Sequence, residues 1–188
     1  MQEYIEVEGI WQKLVSLGGT GVHVFVFCSG FGLYLSHLRR PLKYKEFLRR
    51  RFSKVYVPYI IVVMISYLIP FTFSGNRFVA LLSHVFLFKM FMPEYESSFG
   101  GQLWFVSTIF QFYLVFCVLC FIKRKMSKSQ FVLLCTALSI AWWFFMLIGN
   151  LGNERIWNSF FMQYLWEFSL GMNVADHLYK GEKIEIHK

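Results

Sequence analysis

The sequence predicts an all-α transmembrane helix bundle of about five spans plus a short interfacial helix, with the N-terminus outside and the C-terminus inside. Three observations carry this expectation. The 188 residues are 56% hydrophobic and 21% aromatic but only 16% charged, whereas an ordinary globular chain is roughly 25% charged and needs those charges to cover its surface. The deficit falls in long uncharged runs, and five of these reach the ~20 apolar residues that a spanning helix needs. Fifteen of the nineteen lysines and arginines cluster between or after those runs, as expected where short basic loops are held in the cytoplasm.

The elements follow in order. The segment Met1-Gln2-Glu3-Tyr4-Ile5-Glu6 is acidic and lacks the basic start of a secretory signal peptide, so insertion is expected to rely on the internal helices. The first span is Leu14–Leu38. Within it, Gly18-Gly19-Thr20-Gly21 lacks the lysine and strand context of a phosphate loop and reads as glycines that let a loop turn into the helix. Ser29-Gly30-Phe31-Gly32 offers small residues for close helix packing. The stretch Arg39–Lys54 holds eight lysines and arginines. Helical spacing puts Tyr44, Leu48, Phe52 and Val55 on one face and Lys43, Glu46, Arg50 and Lys54 on the other, which predicts an amphipathic helix on the inner leaflet.

The second span is Val55–Phe73. The shorter apolar stretch Phe78–Met92, carrying His84 and Lys89, predicts an interfacial or re-entrant piece. Leu103–Ile122, Phe131–Ile148 and Trp157–Ala175 complete the five. Alternating spans leave Lys13, Arg77, Lys89 and Arg155 outside and the other fifteen basic residues inside, so span count and charge agree. Tyr56, Tyr59, Trp104 and Trp157 fall near span ends, where aromatic belts form. The chain reads as one membrane domain over residues 1–188.

The net charge of +8 is explained by topology, and no motif for nucleic-acid binding accompanies it. Cys28, Cys117, Cys120 and Cys135 all sit in apolar runs as small hydrophobes. Cys117 and Cys120 have CxxC spacing but lie within a span with no third ligand nearby, so neither metal nor redox chemistry is expected.

Residues with chemical potential are few. Glu167 lies near the middle of the last span, where a carboxylate is costly and by default functional. Gln163 sits one turn before it, Gln111 lies at similar depth in another span, and His23 lies in the outer half of the first. The four are expected to form one polar cluster, either a packing glue or a site in which His23 is a general base. Arg51 and Lys54, three residues apart and so neighbours on a helix, are placed to reach the phosphates of a cytoplasmic donor such as coenzyme A. The alternative is a solvated, topogenic patch held by anionic membrane lipid.

A family resemblance runs through these blocks. Gly21-Val22-His23-Val24-Phe25-Val26-Phe27-Cys28-Ser29-Gly30-Phe31 resembles the "GVxxFFxxSGF" helix of the acyltransferase 3 family of integral membrane O-acyltransferases. Arg50-Arg51-Phe52-Ser53-Lys54-Val55-Tyr56-Val57-Pro58-Tyr59 resembles its "RRxxRIxPxY" loop, and Leu103-Trp104-Phe105 with Gln111-Phe112-Tyr113 its "LWF…QFY" helix. Trp166-Glu167-Phe168-Ser169-Leu170-Gly171-Met172 resembles its "eFxxGm" segment. The four arrive in the family's order.

The resemblance implies a bacterial inner-membrane enzyme. It would move an acyl group, acetyl by preference, from cytoplasmic acyl-CoA to hydroxyls of an extracytoplasmic glycan, with acyl-CoA as co-substrate and no metal or other cofactor. It assigns Arg50, Arg51 and Lys54 to acyl-donor binding, with lysine at the second position of the family's "RxxR" pair. The glutamate that many members carry after "LWF" is replaced by Ile109 or Phe110. The family's first helix, with an arginine and the histidine regarded as catalytic, is expected to precede Met1, and further helices to follow. No residue here matches that histidine, leaving His23 and Glu167 as catalytic candidates and predicting that the 188 residues alone are inactive. Two other readings stay open: a non-catalytic remnant or helix-packing membrane protein, and a small-molecule transporter, suggested by Glu167 and Gln111.

Overall fold

The computed structural model describes residues 2–69, 75–152 and 154–181. Every regular element among them is helical: α1 (Gln2–Arg39), α2 (Tyr44–Leu68), α3 (Arg77–Val85), α4 (Trp104–Lys125), α5 (Lys128–Ile148), α6 (Arg155–Asn158) and α7 (Leu165–Tyr179). Short 3-10 turns occur at Lys89–Phe91, Pro93–Tyr95, Gly101–Leu103 and Phe161–Tyr164. Four helices are long and apolar enough to cross a membrane: Gly21–Arg39 of α1, α2, α4 and α5. Their outward faces carry Val57, Ile61, Ile65 and Leu68 on α2 and Leu133, Phe144, Leu147 and Ile148 on α5, an apolar coat suited to lipid.

Residues Pro41–Leu165 form one compact unit, while α1 with residues 166–181 forms another. In the second of these, glycine permits close contact. A Cβ on Gly30 would collide with the carbonyl of Phe168, and one on Gly171 with the backbone of Phe27 and Phe31. The packing expected of Ser29–Gly32 is therefore real, and Gly171 is its counterpart. The glycines at 18–21, by contrast, do not form a loop: they lie inside the continuous α1.

In the Pro41–Leu165 unit, α2 packs along α4 through aromatic rings. Phe47 stacks on Phe116 at 4.9 Å and Phe52 meets Phe110 at 4.8 Å. This corrects the expected surface helix. The basic stretch does not end before the second span but runs into it as one helix, although Pro58 cannot donate to the Lys54 carbonyl. Its apolar side packs in part on α4, while Tyr44 and Phe52 stay partly exposed. The end of the expected span, residues 70–73, lies outside the described residues.

The α4–α5 connection is set by local rules. Lys123, Arg124 and Lys125 close α4, where cations suit the carbonyl end of the helix dipole. Ser127 and Gln130 then form a reciprocal capping box that opens α5. Lys123 is buried, its ammonium 5.1 Å from the centre of the Phe131 ring.

The fifth expected span is broken. Between α6 and α7 the chain leaves helical geometry at Ser159 and Phe160 and tightens into the turn Phe161–Tyr164. No proline or glycine marks this point; side chains of α4 and α5 hold it open. Thr108 donates to the Ser159 carbonyl at 2.7 Å, Gln111 accepts from the Phe161 amide at 3.0 Å, and Ser139 donates to the Met162 carbonyl at 2.8 Å. Backbone groups that leave a helix at membrane depth need such partners.

Candidate functional site

Two groups of side chains have the makings of a site, one in each unit. The first begins with helical periodicity on α2. Glu46, Arg49, Arg50, Ser53 and Lys54 follow one another at three- and four-residue steps and share one face. They line a groove of about 440 Å³. Arg50 is held by Glu46 at 2.6 Å and the Ser53 hydroxyl donates to the Arg49 carbonyl at 2.9 Å. Arg49 and Lys54 have no acidic partner among the described residues, so the groove is net positive and suited to an anion.

Of the predicted donor residues, Arg50 and Lys54 line this groove. Arg51 does not: one turn beyond Phe47 on the α4-facing side, it is half-buried and its charge acts on Tyr113. Arg49 takes its place in the groove, a residue that the motif-based reading passed over because it precedes the "RRxxR" block.

Next to the basic groove lies an apolar one of about 450 Å³, lined by Leu48, Arg49, Phe52, Ser53, Leu87, Phe110, Tyr113 and Leu114. Arg49 and Ser53 line both. The second groove was invisible in the sequence, since it needs α2, α4 and the turn after α3 to come together.

The other group joins α1 to α7. His23 and Glu167, 144 residues apart, are hydrogen-bonded through Nδ1 and Oε1. Glu167 is buried, while the side chain of His23 is 47% exposed. The close contact at Phe27 and Gly171 lies one helical turn from each residue, which fixes the pair. With Nδ1 bound to a carboxylate, the neutral ring carries its basic lone pair on Nε2. This is the arrangement by which a carboxylate orients an imidazole for proton transfer.

The other two expected members of the cluster belong to the Pro41–Leu165 unit. Gln111 is engaged with the Phe161 amide and the Ser159 carbonyl. Such bonds between helices are of the kind that serve packing. The Gln163 amide oxygen is buried without a hydrogen bond. The four cysteines are free thiols.

One group was missed altogether. Lys89, read as an outside-loop charge, is 2% exposed and donates to the carbonyls of Ser98 at 3.0 Å and Gly100 at 2.7 Å. His84 is fully buried beside it, with Nε2 3.1 Å from the Ser98 carbonyl and Nδ1 2.8 Å from the Tyr59 hydroxyl. Burial drives the His84 imidazole down to about 4, the Lys89 charge adding to this and the bond to Ser98 opposing it. Burial lowers the Lys89 ammonium to about 8, with Glu96 pulling it up and Arg155 pushing it down. The neutral imidazole thus donates through Nε2 and accepts from Tyr59, and the cluster ties α2 and α3 to the turn at Phe99 and Gly100, both at positive φ.

Comparison with known proteins gives one result. The acyltransferase 3 family model, described as an acyltransferase domain, matches residues 3–183. No curated protein and no solved structure matched the chain.

Proposed function

The chain belongs to the acyltransferase 3 family of membrane acyltransferases, enzymes that transfer groups other than amino-acyl groups, and from that premise we propose that it uses acyl-CoA, with acetyl as the simplest donor, to acylate hydroxyls of an extracytoplasmic glycan. The observation that carries this reading is the net-positive groove of Arg49, Arg50 and Lys54, adjoining an apolar one. A nucleotide-bearing donor presents several phosphate charges, and charge-assisted bonds from arginine and lysine are among the strongest available to hold them. The basic stretch up to Lys54 and the Lys123–Lys128 cluster face the cytoplasm in this reading, where acyl-CoA is made.

In the transfer itself the acceptor oxygen attacks the thioester carbonyl carbon, the C–S bond breaks, and the hydroxyl proton passes to a base and then to the departing thiolate. Within its own unit, His23, oriented by Glu167, is a candidate for that proton. Arg51 acts indirectly in this proposal, through Tyr113, rather than as a phosphate ligand.

Binding of acetyl-CoA to the purified chain in detergent tests the reading without requiring turnover. Replacing both Arg49 and Lys54 with alanine is expected to weaken binding about tenfold, the order of one charge-assisted bond, and to flatten its salt dependence. Donor affinity that is unaffected by the double substitution would reduce these residues to topogenic charges.

A further inference from the structure

We propose that the apolar groove between α2 and α4 receives the pantetheine and acyl arm of the donor, so that the chain favours acyl groups longer than acetyl. The inference rests on the donor reading above but goes beyond it, from the presence of CoA to the length of what CoA carries.

Three features point to this occupant. The two grooves share Arg49 and Ser53, so a ligand with its anionic head on Arg49, Arg50 and Lys54 runs directly into an apolar channel. A chain that is charged at one end and apolar at the other matches both. The volume of about 450 Å³ falls in the range of roughly 300–1,000 Å³ typical of small-molecule sites, which combine apolar walls with a few placed polar groups. Here the placed group is Tyr113, whose hydroxyl makes no hydrogen bond among the described residues and is available to the amides of a pantetheine arm.

The third feature is the turn that closes α3. Leu87 lines the groove at φ 61°, a left-handed conformation that a leucine rarely adopts. The conformation closes α3 as a Schellman motif, with the Phe88 amide donating to the Ser83 carbonyl at 2.7 Å and the Leu87 amide to the His84 carbonyl at 3.1 Å, and this turn places Leu87 in the groove lining with Phe52, Phe110 and Leu114.

The experiment measures dissociation constants of CoA and of acetyl-, butyryl- and hexanoyl-CoA for the full 188-residue chain in phosphatidylcholine nanodiscs. Affinity should rise with each methylene, by up to about fourfold where the methylene leaves water completely. Filling the groove by Leu114→Trp, or by Leu48→Trp should the first variant fold poorly, should flatten this slope. The Arg50→Ala/Lys54→Ala double variant, at residues that line only the basic groove, should weaken the whole series by a common factor and leave the slope alone.

A flat series in the native chain with CoA still bound overturns the inference and leaves the donor reading standing. So does a slope that survives both tryptophan variants, because the acyl tail would then lie in lipid. A slope that disappears when phosphatidylglycerol replaces phosphatidylcholine assigns the groove to an anionic lipid and also overturns the proposal. Loss of all CoA binding removes the donor reading itself.

Discussion

In one unit of this chain α1 and α7 meet backbone to backbone, through Gly30 and Gly171. In the other, α2 and α4 are joined ring to ring by Phe47, Phe52, Phe110 and Phe116. Both answer the same difficulty. Lipid tails are as apolar as leucine, so helices in a bilayer gain little from the hydrophobic effect and must gain from fit. The glycine contact achieves fit by removing side chains and brings His23 within reach of Glu167. The aromatic contact achieves it by interlocking large ones and leaves a groove where the rings diverge. The difference is a division of labour, with rigidity where two polar groups are held together and open space beside the basic face of α2.

The comparison can be broken most forcefully at the glycines. Gly30→Leu and Gly171→Leu should each destabilise by about 3 kcal/mol or more, the upper end of overpacking costs, because the obstacle is backbone that cannot move aside. Unfolding in mixed micelles of increasing denaturing-detergent fraction, followed by tryptophan fluorescence, reads this. If even Gly30→Ala unfolds at the native fraction, the close contact is not what holds the unit together.

At the aromatic interface the expected effect is smaller. Phe116 is fully buried, and Phe→Ala in a water-soluble core costs 3–5 kcal/mol, which includes transfer from water and a cavity. If lipid replaces water as the alternative solvent, mainly the cavity contribution remains, about 2 kcal/mol for Phe116→Ala. A loss of 4 kcal/mol in the same assay would mean that the interface is hydrophobically driven after all.

The smallest effects belong to the buried basic cluster, which resembles neither interface. Lys89→Met leaves the Gly100 carbonyl without its side-chain donor and the Ser98 carbonyl with His84 Nε2 alone, a cost of about 1 kcal/mol. The pH dependence has a definite sign. His84 sits at about 4 in the fold against an ordinary 6.5, so on acidification the unfolded chain takes the proton first. Stability should therefore fall as pH drops from about 6.5 to about 4. Lys89, at about 8 against 10.5, should add stability as pH rises from about 8 to 10.5. Thermal midpoints across both windows, compared with those of His84→Gln and Lys89→Met, check each part. A midpoint unchanged between pH 7 and pH 5 would show that His84 does not bear the expected load.

How much of this was legible depended on whether the cause lay close in sequence. The helices α1, α4 and α5 were readable from apolar length, the packing role of Gly30 from its small neighbours, and the need of Glu167 for a partner from its depth. The continuity of α2 was not, because eight basic residues imitate a loop and nothing local shows that Phe47 and Phe52 have rings waiting on α4. The break at Ser159 was hidden because its stabilisers, Thr108, Gln111 and Ser139, are between 20 and 51 residues away. Lys89 misled because a lysine in a connection is ordinarily solvated, whereas this one meets two carbonyls that only the folded turn presents. On the basic face of α2, helical periodicity placed Arg50 and Lys54 together, and the same periodicity counted from Glu46 adds Arg49 to the groove lining, where Arg51 is absent.

The break between α6 and α7 bears on how the protein is made. A continuous span satisfies its own backbone and can leave the translocation machinery alone. This segment cannot, since its Ser159 and Met162 carbonyls and its Phe161 amide need hydroxyl and amide groups on α4 and α5, and leaving them bare in hydrocarbon costs several kcal/mol apiece. The turn at 159–164 can therefore settle only against α4 and α5 already in place, and the synthesis order from α4 through α5 to this turn is also the order of assembly.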